Sequence, residues 1–278
     1  MKDINDWQEA VGLPVISRKK SFQWNLDELE EKLRSSIKKC GLECLSANNG
    51  KILTALSGGL DSSLCLALIR EEFGYKIPIE SFTIGESEKF PDIQHARIVA
   101  KKFQTIHHEL IPSKTEIEGA KLTKKIVPAL FQGESGKLEG IGVFLLIQFI
   151  WALMQDKPTT VIFHDGIDEL MGGYWEHRKH PSKNKTEKAF KELWNQLEGR
   201  HLTPLTRKTS CHRITPIFPY LQREVVEYIS KIPVEERTSR EESKIPLRRI
   251  AQKYLPEEII RRPKIGFCDA LKGGSYAS

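Results

Sequence analysis

Residues 51–63 read K-I-L-T-A-L-S-G-G-L-D-S-S, and the order of their parts decides the fold. Ile52 to Leu56 is a short apolar run of the kind a buried strand needs; it stops at Ser57-Gly58-Gly59, and an apolar-periodic segment begins at Asp61. Strand, glycine turn and helix start together make an anion site. Gly58 and Gly59 carry no Cβ and are expected to take φ/ψ values closed to other residues, so main-chain N–H groups can wrap closely around a ligand. The helix that follows leaves its first N–H groups unpaired and turns the positive end of its dipole toward the loop. Ser57, Ser62 and Ser63 add hydroxyl donors. Asp61 is the odd member, because a carboxylate beside a phosphate repels it unless a cation lies between them. Mg²⁺, a hard ion that takes oxygens from one or two carboxylates and from phosphates, is the economical choice.

The string lacks the Lys-Ser/Thr pair that closes a Walker loop. It resembles instead the pyrophosphate-binding loop of the N-type ATP pyrophosphatases, which cleave ATP between the α and β phosphates. ATP and Mg²⁺ are the cofactors this resemblance implies.

Bounds from the whole chain agree with a globular enzyme. Its 278 residues allow one large or two small domains, and 39% hydrophobic with 29% charged residues exclude a disordered chain. A net charge of +6 suits an anionic nucleotide as well as RNA and does not choose between them. The five cysteines, Cys40, Cys44, Cys65, Cys211 and Cys268, form no C-x-x-C pair, which argues for a reducing compartment and a cytoplasmic location. The amino terminus M-K-D-I-N-D-W shows no apolar signal segment, and the longest apolar stretch, 141–154, is too short for a bilayer span and holds Gln148. No membrane partner is expected.

Along the chain, residues 1–20 read as irregular, with a basic Arg18-Lys19-Lys20 cluster, and 26–40 as an amphipathic helix. After the glycine loop come a helix at 64–73 closed by Gly74, a strand at 79–84, a helix at 91–103 with Pro91 in its first turn, and a strand at 105–111. A polar connection at 132–142 leads to a helix at 141–155 and a strand at 159–163; residues 215–262 look helical, and 266–278 look like a mobile tail. The fold class is therefore α/β: a parallel, Rossmann-like sheet with helices on both faces, followed by a mostly helical C-terminal part. Three segments are expected: a leader and helix over 1–46, a nucleotide-binding core over 47–175, and a helical region over 176–278.

Ligands of such sheets collect at the carboxyl ends of the strands, so the loops at Ser57, Gly85 and His164 should converge. The third of these opens F-H-D-G-I-D-E-L-M-G-G-Y, residues 163–174, where Asp165, Asp168 and Glu169 directly follow a buried strand. With Asp61 they would make a cation site facing the phosphates. Read alone, the same acids could be capping residues of a helix start.

The two segments together are similar to the asparagine synthetases and their relatives the β-lactam and carbapenam synthetases, whose pattern is S-G-G-[LI]-D-S-S followed by G-x-G-[SA]-D-E-[LV]-[FM]-G-G-Y. His107-His108-Glu109, Pro219-Tyr220-Leu221, Leu255-Pro256-Glu257-Glu258-Ile259 and Arg262-Pro263-Lys264 extend the resemblance over residues 50 to 270. It implies an adenine nucleotide alpha hydrolase-like fold and an AMP-forming ligase: a carboxylate attacks the α phosphorus of ATP, and a nitrogen nucleophile then displaces AMP to form an amide. Asp61 and Asp168 match the family's magnesium ligands, and Lys264 a catalytic lysine near the phosphates. Ala55 and Ile84 match positions whose main chain meets the base, joining Ser57, Gly58, Gly59, Ser62 and His164 in the nucleotide-binding set. Asp165 stands where asparagine synthetases often have Glu and β-lactam enzymes Tyr. It is expected to take the proton of an incoming ammonia or amine, with a place in the metal shell as the alternative.

Departures matter as much. His164 replaces a Gly and must change the wall of the acyl pocket; Gln222 replaces an Asp, and Ile217 an Arg, so the aspartate-recognition side is poorly matched. Glutamine-using relatives begin with Cys at position 2 and a full amidotransferase domain, whereas Lys2 stands here. The expected nitrogen sources are free ammonia, a separate glutaminase subunit or a small-molecule amine; a homo-oligomer is left open. Competing readings are a tRNA-thiolating enzyme using Cys211, with tRNA disfavoured as a partner, and a nucleotide-binding module without turnover. His177, His180, Cys211 and His212 are too irregularly spaced for a zinc set, and the 183–191 charge run reads as an exposed helix.

Overall fold

Among the described residues of a computed structural model, which are 7–17, 22–134, 136 and 138–263, five parallel strands form one sheet. They are β1 Ile52–Ala55, β2 Ile79–Ile84, β3 Ile106–Leu110, β4 Thr159–Ile162 and β5 Ile214–Ile217, in the order β3-β2-β1-β4-β5. β1, β2 and β4 are buried along their whole length, as strands covered by helices on both faces must be. β3 lies at an edge and is partly exposed. The register sets Ala55 beside Phe82, Thr54 beside Ile162, and Ile162 beside Ile217.

This order has one decisive consequence. From β1 the chain winds outward through β2 to β3, then returns across the sheet to place β4 on the other side of β1. The loops after β1 and β4 therefore diverge at a switch point, where a crevice opens at the carboxyl ends of the strands.

The helix Leu26–Ala47 runs past its expected end at Cys40, because the buried row Leu29, Leu33, Ile37, Cys40 continues to Cys44. Asn25 caps its start by accepting from the Glu28 N–H, and Asn48 at its end exchanges two hydrogen bonds with the Thr160 main chain, fixing the helix to β4. Leu60–Phe73 begins directly at the glycine loop, and Gly74 ends it in a positive-φ conformation. Pro91–Lys102 starts on its proline.

Three segments differ from the sequence reading. Lys114–Ile126 is a helix that no apolar stripe announces, since only Ala120 is buried; its signal is local, a capping box between Ser113 and Glu116. Residues 215–262 are not all helical: Ile214–Ile217 is a strand, paired with β4 from Thr159 to Ile162. Four residues including Pro216 are too short a run to show strand periodicity, and only the vacant flank of β4 selects that conformation. The amino-terminal region also holds structure, a short helix Trp7–Val11 with Trp7 and Ala10 buried, while Arg18-Lys19-Lys20 lies outside the described residues. Ile141–Leu153 is largely buried, and no helix among the described residues is long and apolar enough to cross a membrane.

Candidate active site

The loop after β1 is stitched by its own serines. Ser62 Oγ accepts from the Ser57 N–H at 3.2 Å and lies 3.2 Å from Ser57 Oγ, which accepts from the Gly59 N–H at 3.3 Å. Gly58 has φ +66°, and a Cβ there would fall 2.4 Å from the Ala96 main-chain nitrogen. Gly59, at φ −79° and ψ 169°, is extended backbone open to any residue, so Gly58 alone meets the expectation of a glycine-only conformation.

The loop after β4 contributes the short helix Ile167–Met171, with Asp168 and Glu169 in its first turn. Asp61 and Asp168 are brought together. Lys244 Nζ lies 2.5 Å from Asp61 Oδ2 and 2.6 Å from Asp168 Oδ1, with its side chain only 4% exposed. Gly173 permits the arrangement, since a Cβ there would stand 1.8 Å from Asp168 Oδ1 and 2.6 Å from Lys244 Cε. Asp61 Oδ1 is buried with no hydrogen-bond partner among the described residues. The Tyr220 hydroxyl donates to the Asp61 main-chain oxygen at 2.8 Å and anchors the turn from below.

Glu169 has a different partner: its Oε1 accepts from the Tyr174 hydroxyl at 3.1 Å. The acidic group expected from sequence thus divides into Asp61 and Asp168, which share Lys244, and Glu169, which meets Tyr174. Asp165 is half-buried on the turn between β4 and that helix. His164 Nε2 stands 3.4 Å from Thr54 Oγ1 on the adjacent strand, and burial pushes its imidazole down to about 3, so the ring is neutral across the working pH range. Ala55 and Ile84 lie at the carboxyl ends of β1 and β2, with buried side chains that leave only their main chain to meet a ligand. Lys264 lies outside the described residues, as does the 266–278 tail.

Sequence reading missed Lys244 and Arg248. A cavity of about 50 Å³ beside the glycine loop is lined by Ser57, Asp61, Asp92, Lys244, Arg248 and Arg262, among others. Arg262 donates to the Ser57 carbonyl at 2.7 Å and pairs with Asp92, both side chains nearly fully buried. Lys244 and Arg248 come from S-K-I-P-L-R, which by itself reads as the start of a solvated helix. The positive φ of 55° at Lys244, a conformation uncommon outside glycine, has no sequence signature.

Residues set aside from sequence behave as packing groups. His177 is fully buried, stacked on Tyr174 and against Phe190, and burial lowers it to about 4. Among the described residues no cluster of His, Cys, Asp and Glu is arranged to hold a metal by such ligands alone. Gln222 is buried, its Oε1 accepting from Lys39 at 3.0 Å.

Comparison with known proteins now bears on this site. The family model described as asparagine synthase matches residues 29–210 and 195–277. The chain belongs to the asparagine synthase family. Glutamine-hydrolyzing asparagine synthetase of Mesocricetus auratus is 30% identical over 229 residues, covering 80% of this chain and 40% of that protein. The Homo sapiens enzyme is 29% identical over 224 residues, 78% of this chain and 39% of its own length. A probable asparagine synthetase of Acanthamoeba polyphaga mimivirus is 27% identical over 253 residues, 89% and 44%. The chain thus spans about 40% of the length of the curated relatives it matches. Among solved structures, the NMN synthetase from Francisella tularensis has a TM-score of 0.38 at 13% identity, over 74% of this chain and 92% of that one. Within the asparagine synthase family frame, Asp61 and Asp168 come from the two motifs that carry the resemblance, and Lys244 is the group that joins them.

Proposed function

We propose that this chain is an ATP-dependent, AMP-forming ligase that joins a carboxylate to ammonia or an amine. The observation that carries the reading is the meeting of Asp61 and Asp168, 107 positions apart by their numbers (168 − 61), on the Lys244 ammonium at the switch point of the sheet.

The residues present fit Mg²⁺. Asp61 and Asp168 are hard oxygen donors, Asp61 Oδ1 is a buried acceptor without a hydrogen bond, and the glycine loop offers a phosphate cradle beside them. When bound, the metal supplies neutralisation of charge on the phosphates. The chain's own groups do the rest. Gly58, Gly59 and the first turn of Leu60–Phe73 present main-chain N–H groups to the β and γ phosphates, with Ser57 and Ser62 holding the loop's shape. Lys244, Arg248 and Arg262 line the same cavity and provide positive charge against the departing pyrophosphate. Lys264, next in line after Arg262-Pro263, is assigned to the same task by its place in the sequence.

In the first step a substrate carboxylate oxygen attacks the α phosphorus, the bond from that phosphorus to the bridging oxygen breaks, and pyrophosphate leaves. In the second, the nitrogen attacks the acyl carbon, the carbon–oxygen bond to AMP breaks, and the nitrogen gives up a proton. Asp165, on the turn beside the site, is the assigned acceptor of that proton. Neutral His164 forms part of the wall between β1 and β4 where the acyl group would rest, and it makes that pocket smaller than a glycine would. The relatives are named as glutamine-hydrolyzing enzymes, so a separate glutaminase subunit is a proposed source of ammonia beside free ammonia and small amines.

The test is to incubate the chain with ATP, Mg²⁺, ammonium and a mixture of amino and other carboxylic acids. Acid-dependent pyrophosphate release, with AMP and an amide identified by mass spectrometry, is the expected result. Pyrophosphate release driven by tRNA alone and abolished by Cys211→Ser would replace this reading with the thiolating one.

A further inference from the structure

We propose that Arg262 is a positioning residue: it latches the end of the described chain onto the glycine loop and holds that loop in the shape that receives a nucleotide's phosphates. This rests on the functional reading only for the identity of the nucleotide. Arg262, just after the helix Glu257–Ile260, reaches two other segments. One guanidinium nitrogen donates to the Ser57 carbonyl at 2.7 Å, and another pairs with Asp92, in the first turn of the helix Pro91–Lys102. The Arg262 and Asp92 side chains are 4% and 2% exposed. A planar fork holds two such acceptors at fixed angles, whereas a lysine ammonium is a point charge on a flexible stem.

Ser57 and Asp92 both line the cavity beside the loop. An uncovered main-chain oxygen or carboxylate there repels a phosphate, and a guanidinium lying on both screens them together. The same contact fixes the loop's shape. Gly58 is pressed on the helix that carries Asp92, since a Cβ would stand 2.4 Å from the Ala96 nitrogen, and Ser57 and Ser62 close the turn from within. Arg262 adds a second tie between the loop and that helix. Arg248, lining the same cavity, extends it by donating to the Ile260 carbonyl and to the Ser243 carbonyl beside Lys244. Arg262 Nε is buried with no hydrogen-bond partner among the described residues, and a direct grip on phosphate would act through it. The two roles part in the nucleotide-free chain: a latch protects the loop before any ligand arrives, and a grip does not.

The experiment follows hydrogen exchange of the main-chain amides at 57–63 in the nucleotide-free full chain, for the native sequence, Arg262→Met, Arg262→Lys and Asp92→Asn. Residues 79–84 of β2 are the internal control. Each variant should exchange at least about tenfold faster over 57–63 and at the native rate over 79–84. Both Arg262 variants should also bind a non-hydrolysable ATP analogue with Mg²⁺ at least about tenfold more weakly, because the loop must then be ordered on binding. Arg262→Lys is the sharper of the two, since it keeps the charge and loses the fork. Native exchange over 57–63 in Arg262→Met, full restoration of loop protection and affinity by Arg262→Lys, or equal acceleration over 79–84 overturns the proposal. So does faster loop exchange with unchanged affinity in a chain that binds the analogue, which would make Arg262 a structural tie only. Should Arg262→Met fail to fold, Arg262→Lys and Asp92→Asn decide by the same readings. A native chain that ignores the analogue, with loop exchange still rising in the variants, would count against the nucleotide reading and for the latch.

Discussion

Two lysines are buried among the described residues, and they differ in what surrounds them. Lys208, on the helix Thr203–Ser210, is fully buried, pairs with Glu134 at 2.6 Å and lies 4.7 Å above the Phe131 ring. Burial lowers its pKa and raises that of Glu134, the direction expected when desolvation outweighs the attraction of the pair. One charge meets one charge beside an aromatic face, and the Lys124 ammonium fastens the neighbouring loop through the carbonyls of Glu134, Gly136 and Glu139. Lys244 instead meets two carboxylates from two different loops, beside a glycine turn and a cavity. The balanced pair holds structure. The Lys244 group joins the two motif segments beside the glycine loop.

The largest effect should come from the group that Lys244 joins. Asp61→Asn and Asp168→Asn are each expected to lower acid-dependent pyrophosphate release by about 10²–10³-fold while circular dichroism shows a folded chain. Near-native turnover in either variant would break the contrast, since the pair would then be structural as well. Lys208→Met should act on stability instead. Leaving Glu134 buried without its partner costs about 3–5 kcal/mol in urea unfolding, and Lys208→Met/Glu134→Leu should recover most of it. Turnover per folded molecule should be unchanged; a matching loss of turnover would extend the active region to Lys208. The smallest effect tests the boundary of the site. Asp165→Asn should spare ATP–pyrophosphate exchange and slow amide formation about ten- to a hundredfold. Loss of the exchange would move Asp165 into the metal shell beside Asp168.

Most of the scaffold was legible because its cues are local. Ile79–Ile84 is an unbroken apolar-rich run, and Pro91 and Gly74 mark a helix start and a helix end. Lys114–Ile126 escaped notice because its buried face is one alanine, and β5 because a four-residue strand with a proline acquires its conformation from the strand beside it. The division of the acids was equally hidden. Nothing in I-D-E-L distinguishes Asp168, which meets Lys244, from Glu169, which meets Tyr174; only the helical rotation between neighbouring positions separates them.

By itself the amino-acid sequence determined a parallel α/β sheet, a glycine loop at 57–63 and two acidic positions worth pairing, because strand runs, glycine turns and motif spacing are written along the chain. Tertiary structure alone decided that β4 returns beside β1, that Lys244 rather than a nearer residue joins Asp61 to Asp168, and that Arg262 closes on Asp92. Charge balance in a buried site depends on distances through space. Partners separated by 76 or more positions (244 − 168) leave no periodic trace for a linear reading to find.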